Sequence, residues 1–137
     1  MKKIFTRFLI PLSVFACCFR ISAATQTDNI AIDESNFPDS KFRSYISVSI
    51  DKDQDGSLST EERTRITKLE IQYKGISNLK GVEYFTEIDT LFCDGNNLTT
   101  FDLSKNTKLK DLDFDSNAFT TVDLSAYPSL ERISCKS

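Results

Sequence analysis

Between positions 51 and 62 the chain reads Asp-Lys-Asp-Gln-Asp-Gly-Ser-Leu-Ser-Thr-Glu-Glu. Carboxylates stand at the first, third, fifth and twelfth places: Asp51, Asp53, Asp55 and Glu62. That spacing suits Ca2+, a hard cation that takes six to eight oxygen ligands in a flexible cage. The backbone carbonyl of Ser57 would serve at the seventh place, Ser59 would act through a water at the ninth, and Glu62 would close the cage with both oxygens. Gly56, at the sixth place, permits a sharp turn that a side chain would strain. Leu58 is expected to point inward and pack. Every place of the EF-hand loop signature is filled. Four carboxylates so close together repel one another unless a cation sits between them. Ca2+ is the one cofactor the sequence implies, with Asp51, Asp53, Asp55, Ser57 and Glu62 as its ligands.

Other chemistry is poorly provided for. The sequence has no histidine, so the commonest general base and the commonest zinc ligand are both missing. Cys93 and Cys135 have no imidazole to activate them. A hydrolase working through paired carboxylates finds no support either, because the acids are accounted for by the loop and the surface. The chain reads as a binding protein, not an enzyme.

The elements that would hold the loop are legible on both sides of it. Lys2, Lys3 and Arg7, an apolar run from Phe8 to Phe19, and Ser22-Ala23-Ala24 form a secretory signal peptide over residues 1–24. Its apolar run is too short to span a bilayer, and no membrane span is expected after processing. A second route competes with cleavage after Ala24: Val14-Phe15-Ala16-Cys17 resembles a lipoprotein box, in which Cys17 would carry a lipid. Loss of residues 1–24 lowers Lys+Arg from 17 to 13 while Asp+Glu stays at 20, so the exported chain carries −7. Such a chain suits a cation and is a poor match for nucleic acid. Residues 25–34 read as a polar linker. From Phe37 to Ile50, Phe42, Tyr45, Ile46 and Ile50 recur at helical spacing, with Pro38 in the first turn and Asp39 near the positive end of the dipole. After the loop, Ser59 and Glu62 form a capping box for a brief helix ending near Arg65. Residues 35–65 thus make one helix–loop–helix unit.

Beyond Ile66 the texture becomes periodic. Ile88-x-x-Leu91-x-Cys93-x-x-Asn96-x-Leu98 returns 21 residues later as Leu109-x-x-Leu112-x-Phe114-x-x-Asn117-x-Phe119, and starts again at Leu130-x-x-Ile133-x-Cys135. A weaker first copy runs from Ile66 through Leu69, Ile71 and Ile76. Periods of this length with this lettering indicate leucine-rich repeats, about three and a half units over residues 66–137. The inward set is Leu69, Ile71, Leu91, Cys93, Leu112, Phe114, Ile133 and Cys135. Asn96 and Asn117 are expected to turn inward and bond the backbone where the strand bends away. Cys93 and Cys135 stand two strands apart, roughly 10 Å, too far for a disulfide; both are expected to be buried free thiols. Facing outward, Phe92 is read as the one exposed aromatic, beside Asp94, Asp111 and Asp113, and these four make the candidate partner surface.

The 21-residue unit, its inward cysteines and the repeated Asp-Leu-Ser at 102–104 and 123–125 resemble internalin-J-like repeats of bacterial surface proteins. The Asn36-Phe37-Pro38-Asp39 helix with its acidic loop is similar to the opening of secreted proteins that join an EF-hand to such repeats. The resemblance implies a cell-surface or secreted location and binding of a protein or host ligand by the concave face. Phe114 stands where the family has cysteine and Lys74 where it has asparagine. The fold expected is α+β, a single EF-hand capping a short leucine-rich-repeat solenoid with parallel strands. The rival reading is a dockerin-like assembly module docking through its calcium loop; dockerins carry two such loops and this chain has one.

Overall fold

A computed structural model describes residues 28–136. The signal peptide and the Cys17 lipid site lie outside the described residues. Strand β1 (Ile30–Ala31) leads to helix α1 (Ser40–Ser49), strand β2 (Ser57–Leu58) and short helix α2 (Thr60–Thr64). Four three-residue strands follow: β3 (Lys68–Glu70), β4 (Thr90–Phe92), β5 (Asp111–Asp113) and β6 (Arg132–Ser134). These form one parallel sheet in the order β3-β4-β5-β6. Lys68 lies beside Thr90, Thr90 beside Asp111, and Asp111 beside Arg132, so the sequence period is also the register.

Each repeat hands its strand to the next through equivalent hydrogen bonds. Ile71 N–H donates to the Phe92 carbonyl (2.9 Å), Cys93 N–H to Asp113 (2.8 Å) and Phe114 N–H to Ser134 (3.0 Å). Leu69, Ile71, Leu91, Cys93, Leu112 and Phe114 are buried in one core with Phe37, Phe42, Ile46 and Leu58. Asn96 is buried as the repeat pattern implies: it accepts from Lys74 and Ile76 N–H groups and donates to the carbonyls of Ile71 and Cys93. Asn117 repeats this role half-buried, donating to Cys93 and Phe114 and accepting from Leu98.

Lys74, at the asparagine position of the first repeat, has no preceding strand to serve. Its ammonium lies 5.0 Å from the centre of the Tyr45 ring on α1. One carboxylate does most to fix α1 to this repeat. Asp39 is the N-cap, one step before the helix, so Pro38 precedes the first turn instead of occupying it. Its Oδ1 accepts from Lys41 and Phe42 N–H groups (2.9 and 3.0 Å), and its Oδ2 from Ser77 and Asn78 (2.8 and 3.3 Å).

Three further expectations change. Residues 25–34 are not all linker, because Ile30–Ala31 pair antiparallel with Ser57–Leu58. Ile133 is 46% exposed and Cys135 is exposed, although their counterparts one and two repeats earlier are buried; β6 is the edge strand, with sheet on one side only. Among the described residues the aromatic that stands out is Tyr73, 77% exposed, and not Phe92, which is half-buried beneath the Lys68 ammonium at 4.7 Å.

Candidate metal site and repeat surface

The acidic loop starts where α1 stops. Ile50 caps the helix, and Asp51 N–H still bonds back to the Ile46 carbonyl (3.1 Å), so the first carboxylate is placed by the helix itself. At the far end Ser59 is the N-cap of α2 in a complete capping box with Glu62. Between them Gly56 has φ +81°, a left-handed conformation at which an L side chain is strained even though the space beside it is open. Leu58 is fully buried.

Asp51, Asp53 and Asp55 each bring a carboxylate oxygen within 4.8 Å of the other two. Asp51 is only 3% exposed. Its Oδ2 accepts from Gly56 N–H at 3.1 Å, whereas its Oδ1 is buried with no hydrogen-bond partner. A buried carboxylate oxygen without a partner is costly, and a cation removes that cost. The neighbours add to the crowding. The N–H of Asp55 pulls the Asp53 carboxyl down, but desolvation, the charges of Asp55 and Glu62 and the contact with Asp51 outweigh it, leaving that group above its ordinary value. The donor set is all oxygen and mostly anionic, which fits Ca2+ or a cation like it.

The other two sequence ligands are held differently. Ser57 donates both its N–H and its hydroxyl to Asp55 Oδ1 (2.7 Å each), which shapes the turn around its own carbonyl. Glu62 is not one of the three clustered carboxylates. Its Oε1 accepts from Lys52 N–H (2.7 Å) and its Oε2 from the N–H and hydroxyl of Ser59 (3.0 and 2.8 Å). Burial pushes Glu62 up, but those hydrogen bonds outweigh it and hold the group below its ordinary value. Glu62 thus ties the start of the loop to its end. Glu62 Oε1 accepts one bond and keeps a lone pair, whereas Oε2 accepts two.

On the outer face of the sheet, Phe92, Asp111 and Asp113 come together with Arg132 and Ser134 around a recess of about 250 Å³. Asp111 is ion-paired with Arg132. Asp94 does not line that recess. It lies beside Tyr73, whose hydroxyl is pushed up by a hydrogen bond to Asp94, by its charge, and further by Asp113 and Asp115. The Tyr73 ring rests on Gly95: a Cβ there would meet the ring at 2.3 Å, and φ is +66°. Sequence reasoning missed Tyr73 because it stands just past the strand, where repeat lettering assigns no face. Among the described residues Cys93 and Cys135 are both free. Burial, and then Asp113 and Asp94, push the Cys93 thiol up to about 12, so it is an inert core group.

No family model matches the chain. In sequence it is similar to internalin J of Listeria monocytogenes serotype 4b (strain F2365), 34% identical over 71 residues, which is 52% of this chain and 8% of that protein. In structure it is similar to the functional domain of internalin J from Listeria monocytogenes, described as including a cysteine ladder: TM-score 0.69, 30% identity, covering 80% of this chain and 24% of that one. It is also similar to an internalin, InlF, from Listeria monocytogenes strain 4b F2365, with TM-score 0.67, 27% identity, covering 76% of this chain and 31% of that one. The chain therefore spans under a third of the solved internalins it matches and under a tenth of the curated relative. It carries internalin-like leucine-rich repeats on a parallel sheet. No described helix is long and apolar enough to cross a membrane.

Proposed function

We propose that this chain is an exported, non-enzymatic interaction module whose acidic loop is an EF-hand that binds one Ca2+ and stiffens the start of an internalin-like repeat surface. One observation carries the calcium reading: Asp51 Oδ1, buried and without a partner, inside a cluster of three carboxylates. Asp51, Asp53 and Asp55 side chains, the Ser57 carbonyl and Glu62 would hold the ion. The ion would supply positive charge and nothing more. With it in place, the end of α1 and the start of α2 become one rigid turn, and Asp39 transmits that order to the first repeat. The outer face around Phe92, Asp111 and Asp113, with Asp94 beside Tyr73, would then be presented to a protein or host ligand. Export follows from residues 1–24, by release after Ala24 or lipidation at Cys17.

A thermal melt in millimolar Ca2+ against chelator tests the reading. A dissociation constant of roughly 10⁻⁴ to 10⁻³ M, usual for extracellular sites, stabilises by about 0.7–1.8 kcal/mol at 2 mM Ca2+. That corresponds to a rise of several degrees in the midpoint. Asp51→Ala should abolish the difference between the two conditions. A midpoint indifferent to calcium in the unsubstituted chain would refute the site.

A further inference from the structure

Among the described residues strand β1 has a single sheet partner, and that partner is the acidic loop. Ile30 stands opposite Leu58 and Ala31 opposite Ser57, in a sheet of only two strands. Two residues of antiparallel pairing are marginal in water without a third element to shape them. What shapes β2 is the cluster of carboxylates. The Gly56 peptide is bonded on both sides: its N–H donates to Asp51 Oδ2 (3.1 Å), while its carbonyl accepts from Ile32 N–H (2.9 Å). Ser57 is bonded twice to Asp55, and its hydroxyl also accepts from the Asn29 side chain (3.4 Å). From α2, Arg63 reaches back to the Asp28 carbonyl (2.5 Å) and to its carboxylate (3.6 Å), with its side chain only 12% exposed. Two of the three clustered aspartates thus sit one hydrogen-bonded residue away from the segment 28–32.

We infer that residues 28–32 and the cation loop form one folding unit, so that cation occupancy decides whether β1 is clasped to β2 or released. The inference rests on the calcium reading and adds a regulated element to it. Without the ion, repulsion among Asp51, Asp53, Asp55 and Glu62 opens the loop, moves the Gly56 carbonyl, and removes the template on which β1 lies. The coupling is reciprocal by linkage: whatever factor the ion adds to the clasp, the clasp adds to ion affinity. Ile32 and Arg63 are therefore positioning residues for a site they never touch.

Hydrogen exchange of the full chain, in 5 mM CaCl₂ or in chelator, reads the clasp directly, and titration calorimetry with CaCl₂ reads the site. The expected result is binding heat together with at least a fivefold loss of protection at Ile32 in chelator, while Ile71 and Cys93 change by less than twofold. Ile32→Pro removes the N–H that Gly56 accepts and should weaken calcium binding roughly fivefold or more, the lower end of usual coupling factors. Should that variant fail to fold by circular dichroism, Arg63→Gln carries the same expectation. Binding heat with unchanged exchange at Ile32, or a folded variant with undiminished affinity, overturns the clasp and leaves the site reading intact. Absence of binding heat overturns both.

Discussion

The two ends of the repeat sheet are built from the same letters and meet opposite fates. At the β3 end, Leu69 is fully buried, in one core with Phe42 and Ile46 of α1. At the β6 end, Ile133 holds the same register position and is 46% exposed. Between them Leu91 and Leu112 are 0% and 2% exposed. A repeat residue is buried by its neighbours as much as by its own type. The β3 side gains its cover from a helix that Asp39, Lys74 and the acidic loop hold in place, whereas β6 has sheet on one side alone.

The largest expected effect tests that contrast at matched positions. Leu69→Ala should cost about 2–5 kcal/mol, and Ile133→Ala less than about 1 kcal/mol. Equal shifts in urea midpoint would break the comparison, since they would mean that Ile133 is covered in solution. Next, Asn96→Ala removes five hydrogen bonds and strands the buried N–H of Ile76 and the carbonyl of Ile71, while the Cys93 carbonyl keeps its bond from Asn117. A loss of about 2–4 kcal/mol is expected. Asn117→Ala, half-buried nearer the open edge, should lose clearly less in the same unfolding assay.

A smaller effect than that of Asn96 belongs to the junction. Desolvation raises the Asp39 carboxyl, but N–H groups of Ser77, Phe42, Lys41 and Asn78 outweigh it and hold the group below the ordinary 3.8. A depressed folded-state pKa stabilises above the unfolded value, and that contribution is lost as pH falls through the folded value. Asp39→Ala should therefore cost about 1 kcal/mol at neutral pH, the usual worth of an N-cap. The gap between variant and parent should shrink below pH 3.8. A gap that stays constant down to pH 2 would show that the charge of Asp39 does not contribute.

Much of this was readable in the letters. The 21-residue spacing specified register and the inward set as far as Phe114, because a parallel ladder translates sequence period directly into strand alignment. Asn96 was legible because the residue after a strand must answer the carbonyls left open by the bend. Ser59 and Glu62 announced their capping box, since both partners lie within one turn. Contacts that join distant segments were hidden. Asn106 donates to the Val82 and Phe85 carbonyls from the preceding repeat yet has Tyr127 at its position one period on, so no lettering flagged it. β1 was hidden as well, because two residues carry no periodicity of their own.

By itself the sequence determined the local chemistry: that Asp51, Asp53 and Asp55 share one loop, that Ser59 and Glu62 cap the second helix, and how the repeats align. Each of these depends on residues within one turn or one fixed period. Tertiary structure alone decided which equivalent positions are sealed and which stand open, and which segment lies against the acidic loop. Those outcomes depend on what packs from outside the repeat, and burial is a property of the whole surface a residue faces, which no local pattern records.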